Sequence, residues 1–445
     1  MELKKQLVTM SKLKILQINK YYSPIIGGVE SHVKDIVDNL CDQVDFTVLV
    51  CNNKFKTHIV TSDQSQATSQ DSKTSIYKIA SIGKFFSMPV SLIYPFWFWK
   101  LTKNVDIIHF HHPFPLGEIS YLLSRLISKS CLRVFEPNTH LRGVGRYKMP
   151  RIVVTWHSDI EKQKFILFFY RPFLKMFLKS VDKIIVTSPN MAKNSPFLQD
   201  FQNKIEVVPL GINIEKYIHP NCHREVIRGD LNQLENRLLR RPKGAPRNDE
   251  NNKAFIKKID EIRKKYASDG KLLLLSVGRL VYYKGFGYLI EAMREVDANL
   301  LIIGSGFLKK ELMLHVTCYM LHEKVHIIDP VSNEELINYY HACDIFILPS
   351  VAKSEAFAIV QLEAMICGKP VINTNLPTGV PWVSLNDVTG ITIEPKNALQ
   401  LSKAINRLIK NNDLRIKYGN NARKRVLENF TQGKMIERIY NIYTQ

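Results

Sequence analysis

The chain has no run of about 20 apolar residues, the length that a membrane-spanning helix needs. The nearest approaches are Phe85 to Trp99, interrupted by Pro89 and Pro95, and Phe165 to Leu178, which carries Arg171 and Lys175. Either stretch fits core packing or a segment lying in a bilayer interface. No apolar run precedes Leu13, so no signal peptide is expected. Cysteine is sparse, odd in number at seven, and never spaced as C-x-x-C. This suits a reduced, cytosolic setting with ordinary buried thiols. The dinucleotide fingerprint G-x-G-x-x-G is missing, which disfavours a Rossmann-type dehydrogenase. Internal repeats are absent as well.

What is present is a chain of 445 residues, too long for one ordinary domain. With 45% hydrophobic and 23% charged residues it belongs to the globular class. A net charge of +21 favours an anionic partner: a nucleotide, a phospholipid surface or nucleic acid.

Strand-like runs alternate with helical spacing twice over. In the first half they are Leu13 to Ile18, Val44 to Val50, Val105 to Phe110, Ile152 to His157, Lys183 to Ser188 and Ile205 to Pro209. The pattern restarts at Lys271 to Gly278 and continues through Ala298 to Gly304, Val325 to Ile328, Ile345 to Leu348 and Pro370 to Thr374. The alternation predicts two parallel, doubly wound α/β domains. The expected division is 1–213 for the first and 271–429 for the second, with a linker at 214–270 and a last helix at 430–445. Two stretches look inserted. One is 130–149. The other is 219–252, polar and basic, which lacks the interleaved aromatics of a nucleic-acid site.

The motifs cluster where strands are expected to end. Pro349 to Gly368 follows a strand and sets Glu355 and Glu363 eight residues apart, a little over two helical turns. Carboxylates at a strand-to-helix junction suit a ligand rich in hydroxyls, although an acidic first helical turn would look the same. Gly278 and Arg279 close a strand, with Lys284 five residues on. An arginine fork beside a lysine point charge can neutralise a diphosphate. Gly27, Gly28 and Glu30 lie between a strand and a helix, where glycine lets backbone approach a phosphate, though a plain turn fits too. His157 ends a strand, followed by Asp159. His109, His111 and His112 invite comparison with a metal site, but no clear fourth ligand accompanies them, and they read as cleft lining or structure.

Taken together, these motifs resemble the retaining GT-B glycosyltransferases of glycosyltransferase family 4, over most of the chain outside the two insertions. The resemblance implies a GT-B fold: two Rossmann-like doubly wound parallel-sheet domains facing a cleft. It implies that Arg279 and Lys284 clamp the leaving diphosphate and that Glu355 binds sugar hydroxyls. Glu363 would hold the ribose diol, and His157 would contact the transferred sugar. Backbone around Ala356, Phe357 and Ala358 would approach sugar and phosphate. Gly27, Gly28, Gly278, Gly304 and Val331 would border the donor, with Glu30 and Asp159 on the acceptor side. The family often has glycine where Ala358 stands. No D-x-D occurs, so no metal is expected on the diphosphate, and no cofactor is expected beyond a GDP- or UDP-hexose as substrate. The acceptor is expected to be a lipid-linked or lipopolysaccharide-type glycan, met by a cytoplasmic enzyme peripheral on the inner face of a bacterial membrane, without nucleic acid. A GT-B nucleotide-sugar epimerase, or a decayed binding protein of the same fold, are the alternatives.

Overall fold

The computed structural model describes residues 12–25, 27–61, 74–85, 88–134, 150–161, 164–217 and 249–445. The chain divides into two compact units, 1–208 with 436–445, and 209–435.

The first unit is built on a parallel sheet. Its strands are β1 (Leu13–Ile18), β2 (Val44–Cys51), β3 (His58–Thr61), β4 (Thr74–Ile79), β7 (Ile107–His112), β8 (Arg151–Trp156), β9 (Lys183–Val186) and β10 (Ile205–Val207). They run in the order β10-β9-β8-β7-β1-β2-β4-β3, with only β3 antiparallel. Between β4 and β7, β5 (Gly83–Phe85) and β6 (Met88–Val90) pair as a separate ribbon. β1, β7 and β8 are buried along most of their length, on both faces, so their residues do not alternate between apolar and exposed.

Helix α1 (Gly28–Leu40) joins β1 to β2, whereas α3 (Pro115–Val134) and α4 (Lys164–Ser180) join strands laid down in the opposite direction. Right-handed crossovers therefore put α1 on one face of the sheet and α3 and α4 on the other. On that second face Phe110 of β7 meets Phe98 of α2 (Tyr94–Leu101), Tyr121 of α3 and Phe177 of α4. The C-terminal helix Gln432–Thr444 enters this unit from Ile436 on, with Tyr443 fully buried against Gln17 and His109.

The second unit holds six parallel strands: β11 (Leu273–Val277), β12 (Asn299–Ile303), β13 (Val325–Ile328), β14 (Ile345–Ile347), β15 (Val371–Thr374) and β16 (Gly390–Ile393). Their order, β13-β12-β11-β14-β15-β16, reverses direction between β11 and β14. A reversal of this kind opens a crevice at the carboxyl ends of the two strands, where doubly wound sheets bind ligands.

The expected linker differs from what forms. Asp249–Tyr266 is a helix of the second unit, held where Arg263 donates to the Ala342 carbonyl at 2.6 Å and pairs with Asp344. Its sequence is mostly charged, so only a narrow apolar stripe betrays it. Of the two expected insertions, residues 135–149 and 219–248 lie outside the described residues, and 130–134 simply end α3. Among the described residues no helix is long and apolar enough to cross a membrane.

Candidate active site

In the second unit the motif residues gather at the carboxyl edge of the sheet. Gly278 and Arg279 follow β11, Gly304 follows β12, Val331 lies just beyond β13, and Glu355 sits in the loop after β14. Backbone closeness explains two glycines. A Cβ on Gly304 would stand 1.9 Å from the Gly278 carbonyl oxygen, so the two loops can touch only without one. Gly285 has φ +69° and a Cβ there would meet the Pro349 carbonyl oxygen at 2.0 Å, which brings the Lys284 turn against the Glu355 loop.

That approach creates the central contact. The Lys284 ammonium is 2.6 Å from a Glu355 carboxylate oxygen, both side chains nearly buried. The same oxygen accepts a hydrogen bond from Ser350 Oγ at 2.9 Å, and Thr374 Oγ1 donates to the Ser350 carbonyl. A lysine and a glutamate read separately from the sequence thus form one unit. Arg279 stands exposed beside it, donating to the Tyr283 hydroxyl at 2.8 Å.

Glu363 lies on the helix Ile359–Ile366 and accepts hydrogen bonds from Tyr340 at 2.6 Å and Tyr217 at 3.0 Å, one on each oxygen. Burial lifts its carboxyl above the ordinary value, while the two phenol donors pull the other way. Burial and the same carboxylate push both phenols up, so they remain donors. The ring of Phe357 is core, near Trp382 and Phe430, leaving only its backbone available to a ligand. Ala356 accepts through its carbonyl from Gly379 N–H at 2.7 Å. Ala358 caps the helix with φ +63° and ψ +76°, a left-handed conformation. A side chain there costs roughly 1 kcal/mol, a physical reason for glycine at such a position.

The first unit places a histidine cluster at the carboxyl ends of β7 and β8. His157, after β8, approaches His111 with Nε2 3.1 Å from the His111 Nδ1. The opposite nitrogen of His111 lies 2.8 Å from Gln17 Oε1, an oxygen that only accepts. His111 therefore carries its proton on Nε2 and presents a lone pair to His157. Gln17 in turn donates to the Tyr443 hydroxyl at 3.0 Å, which lies 2.6 Å from His109 Nδ1, and His109 Nε2 meets Thr155 at 2.8 Å. His32 of α1 packs edge-on against both His111 and His157, and neither of its ring nitrogens has a hydrogen-bond partner. His32, His111 and His157 each offer a nitrogen within 4.8 Å of the others, close enough for three ligands to one ion.

All four imidazoles are neutral at neutral pH. Burial lowers His32 to about 4 and His109 to about 3, the latter with His32 adding to the effect. Burial first, then the neighbouring histidines, drive His111 and His157 well down. His157 is thus a hydrogen-bonding group rather than a cation.

One Asp159 oxygen accepts from Trp156 Nε1 at 2.8 Å and from Ser195 Oγ at 2.7 Å, and it is His111 that holds His157. His112 stacks on Trp156 at 3.6 Å and bonds Glu118 at 2.8 Å, a structural pair. At α1, Gly27 is the cap in an extended conformation, and a Cβ on it would strike the Glu30 carboxylate at 2.2 Å. The glycine makes room for Glu30 over the helix start, which Gly28 begins. Lys20, after β1, was not singled out in the sequence. Burial draws its ammonium down, with Glu30 and then Glu118 pulling it back up.

Comparison with known proteins fits both halves. Residues 26–216 match the model of Glycosyltransferase Family 4, and residues 258–425 match that of Glycosyl transferases group 1. The chain is similar to the O-antigen chain mannosyltransferase C of Escherichia coli, 28% identical over 78% of this chain and 77% of that protein. It is 26% identical to the D-rhamnosyltransferase WbpZ of Pseudomonas aeruginosa, over 75% and 72% of the two chains. The fold is that of HepE from Anabaena, solved in complex with UDP, with TM-score 0.69 and 16% identity over 97% of this chain and all of that one. With both halves matched to their family models and both sheets doubly wound, the chain belongs to the GT-B glycosyltransferases of family 4.

Proposed function

We propose that this enzyme transfers a hexose, mannose being the first candidate, from a GDP- or UDP-sugar to a lipid-linked or lipopolysaccharide-type glycan, with retention at the anomeric carbon. The observation that carries the donor half is the Lys284–Glu355 pair beside Arg279, at the switch point between β11 and β14. Similarity to an O-antigen mannosyltransferase and to a D-rhamnosyltransferase supports the glycan class.

The C1–O bond to the diphosphate breaks, its electron pair going to the departing phosphate oxygen. Arg279 and Lys284 stabilise that charge, taking the part that a metal plays elsewhere. The acceptor hydroxyl attacks from the face the leaving group vacates, and its proton passes to the departing phosphate. Glu355, tied to Lys284 and Ser350, is positioned to accept from sugar hydroxyls while keeping its charge balanced. His157 engages a sugar hydroxyl with the nitrogen that His111 leaves free. Glu363 takes the ribose diol. The enzyme works on the cytoplasmic side of the membrane, at its surface.

Calorimetric titration with GDP, UDP and their hexose conjugates, with and without EDTA, tests this reading. Tight binding of one nucleotide, unchanged by EDTA and lost in Glu363→Ala, is expected. Failure of every nucleotide to bind would overturn it.

A further inference from the structure

The first unit concentrates exposed apolar side chains in a single layer of helices. On α4, Phe165, Phe168 and Phe169 are 79%, 75% and 60% exposed, and Phe173 and Met176 are exposed with them. Their spacing sets them on one stripe, opposite the buried Leu174, Phe177 and Leu178. The same pattern continues on the neighbours. α3 packs between α2 and α4, and it exposes Leu123, Leu126 and Ile127. Phe96 of α2, with Leu92 and Ile93 just before it, is exposed too. All three helices cover the Phe110 side of the sheet, so these residues face outward from one layer. A water-facing surface of this size needs a partner.

Charge says which partner. The three helices together contain one carboxylate, Glu118, which is buried on His112. Arg171, Lys175 and Lys179 run alongside the α4 phenylalanines, all exposed, with Lys175 also bridging to Asp200. Two copies joined through this face would bring like charges together. A bilayer with anionic headgroups offers both hydrocarbon for the rings and phosphates for the cations.

We propose that the α2–α4 layer is the surface by which the enzyme docks on an anionic membrane, α4 lying in the interface with Phe165, Phe168 and Phe169 inserted and Arg171, Lys175 and Lys179 on lipid phosphates. The proposal deepens the reading above and rests on its lipid-linked acceptor. No helix among those described can cross the bilayer, so attachment is along the surface.

The test is flotation of the full chain with phosphatidylcholine vesicles, with and without phosphatidylglycerol, at low and high salt. Wild type should float with the anionic vesicles and be released in part by salt. The triple variant Phe165→Ser/Phe168→Ser/Phe169→Ser should lose at least roughly tenfold in partition. Arg171→Gln/Lys179→Gln should lose roughly fivefold per charge removed and respond less to salt than wild type. Because these side chains are exposed, melting temperature and GDP- or UDP-hexose binding should not change in either variant. Wild type that floats with neither vesicle, or variants that float as well as wild type, overturns the proposal. So does a stable dimer that the triple serine variant dissociates. Donor binding in solution needs no vesicle. Its loss with flotation intact would sink the transferase reading alone, and lost flotation with donor binding intact would sink the docking face alone.

Discussion

The two units solve the problem of putting polar groups at a sheet's carboxyl edge in opposite ways. In the second, the edge is ionic: Lys284 and Glu355 are nearly buried and pay for their desolvation with each other, with Ser350 taking up part of the carboxylate. In the first, four buried imidazoles carry no charge at neutral pH, and a network of uncharged hydrogen bonds through Gln17, Tyr443 and Thr155 orients three of them, His109, His111 and His157. A departing diphosphate calls for the first kind of site, because the charge that develops must be met at once. A sugar hydroxyl calls for the second, because it needs direction rather than charge.

The sharpest break of this contrast is Lys284→Met. It should lower kcat by roughly 10²–10³ and, by stranding the buried Glu355 carboxylate, cost about 3–5 kcal/mol in urea unfolding. Adding Glu355→Gln should return most of the stability and none of the activity, which steady-state kinetics alongside denaturation would separate. A stable single mutant would mean that the pair is not closed in solution.

Acid should act on the other unit. Histidines held neutral in the fold bind fewer protons than in the unfolded chain. Their contribution is complete above pH 6.5 and falls away as pH drops towards the folded values, about 4 for His32 and about 3 for His109. The limiting slope is about 1.4 kcal/mol per pH unit for each histidine. His32→Leu should flatten that acid limb measurably, while a variant with the wild-type slope would show that His32 is not neutral in the fold.

Glu363→Gln is expected to weaken donor binding roughly tenfold by calorimetry, the order of one hydrogen bond to a charged group. It should also raise stability at neutral pH. Burial lifts the Glu363 carboxyl, so above its folded value the ionised group subtracts from stability, and an amide removes that cost. Unchanged affinity would take Glu363 out of the donor site. The smallest effect is expected for Ala358→Gly. Relief of the left-handed φ, less glycine's entropy, should stabilise the unit by at most about 0.5 kcal/mol, read as a small rise in melting temperature. A loss of stability instead would mean that the alanine methyl contributes packing.

Much of this was legible along the chain. Strands rich in apolar residues on both faces, such as Leu13–Ile18 and Leu273–Val277, alternating with helical segments, announced two parallel sheets. The short strands β3 to β6 were not announced, being small and partly exposed. Nor was the charged helix Asp249–Tyr266. Lys284, Glu355, Glu363 and His157 were visible as candidates, but which groups each would contact was not. Ser350 looks like any loop serine, and Tyr217 lies 146 residues from the glutamate it serves.

The sequence by itself determined the alternation of strand and helix, the glycines that let loops meet, and the residue types fit for a diphosphate. Those are local matters of hydrophobic period and backbone freedom. Only the tertiary structure decided that Lys284 closes on Glu355, that two tyrosines clothe Glu363, and that Tyr443 reaches Gln17 across 426 positions. It also gathered His32 from a helix, His111 from a strand and His157 from the loop after another. Hydrogen bonds and ion pairs require atoms within about 3 Å, and nothing in the spacing of a chain records which distant atoms its sheets will bring that close.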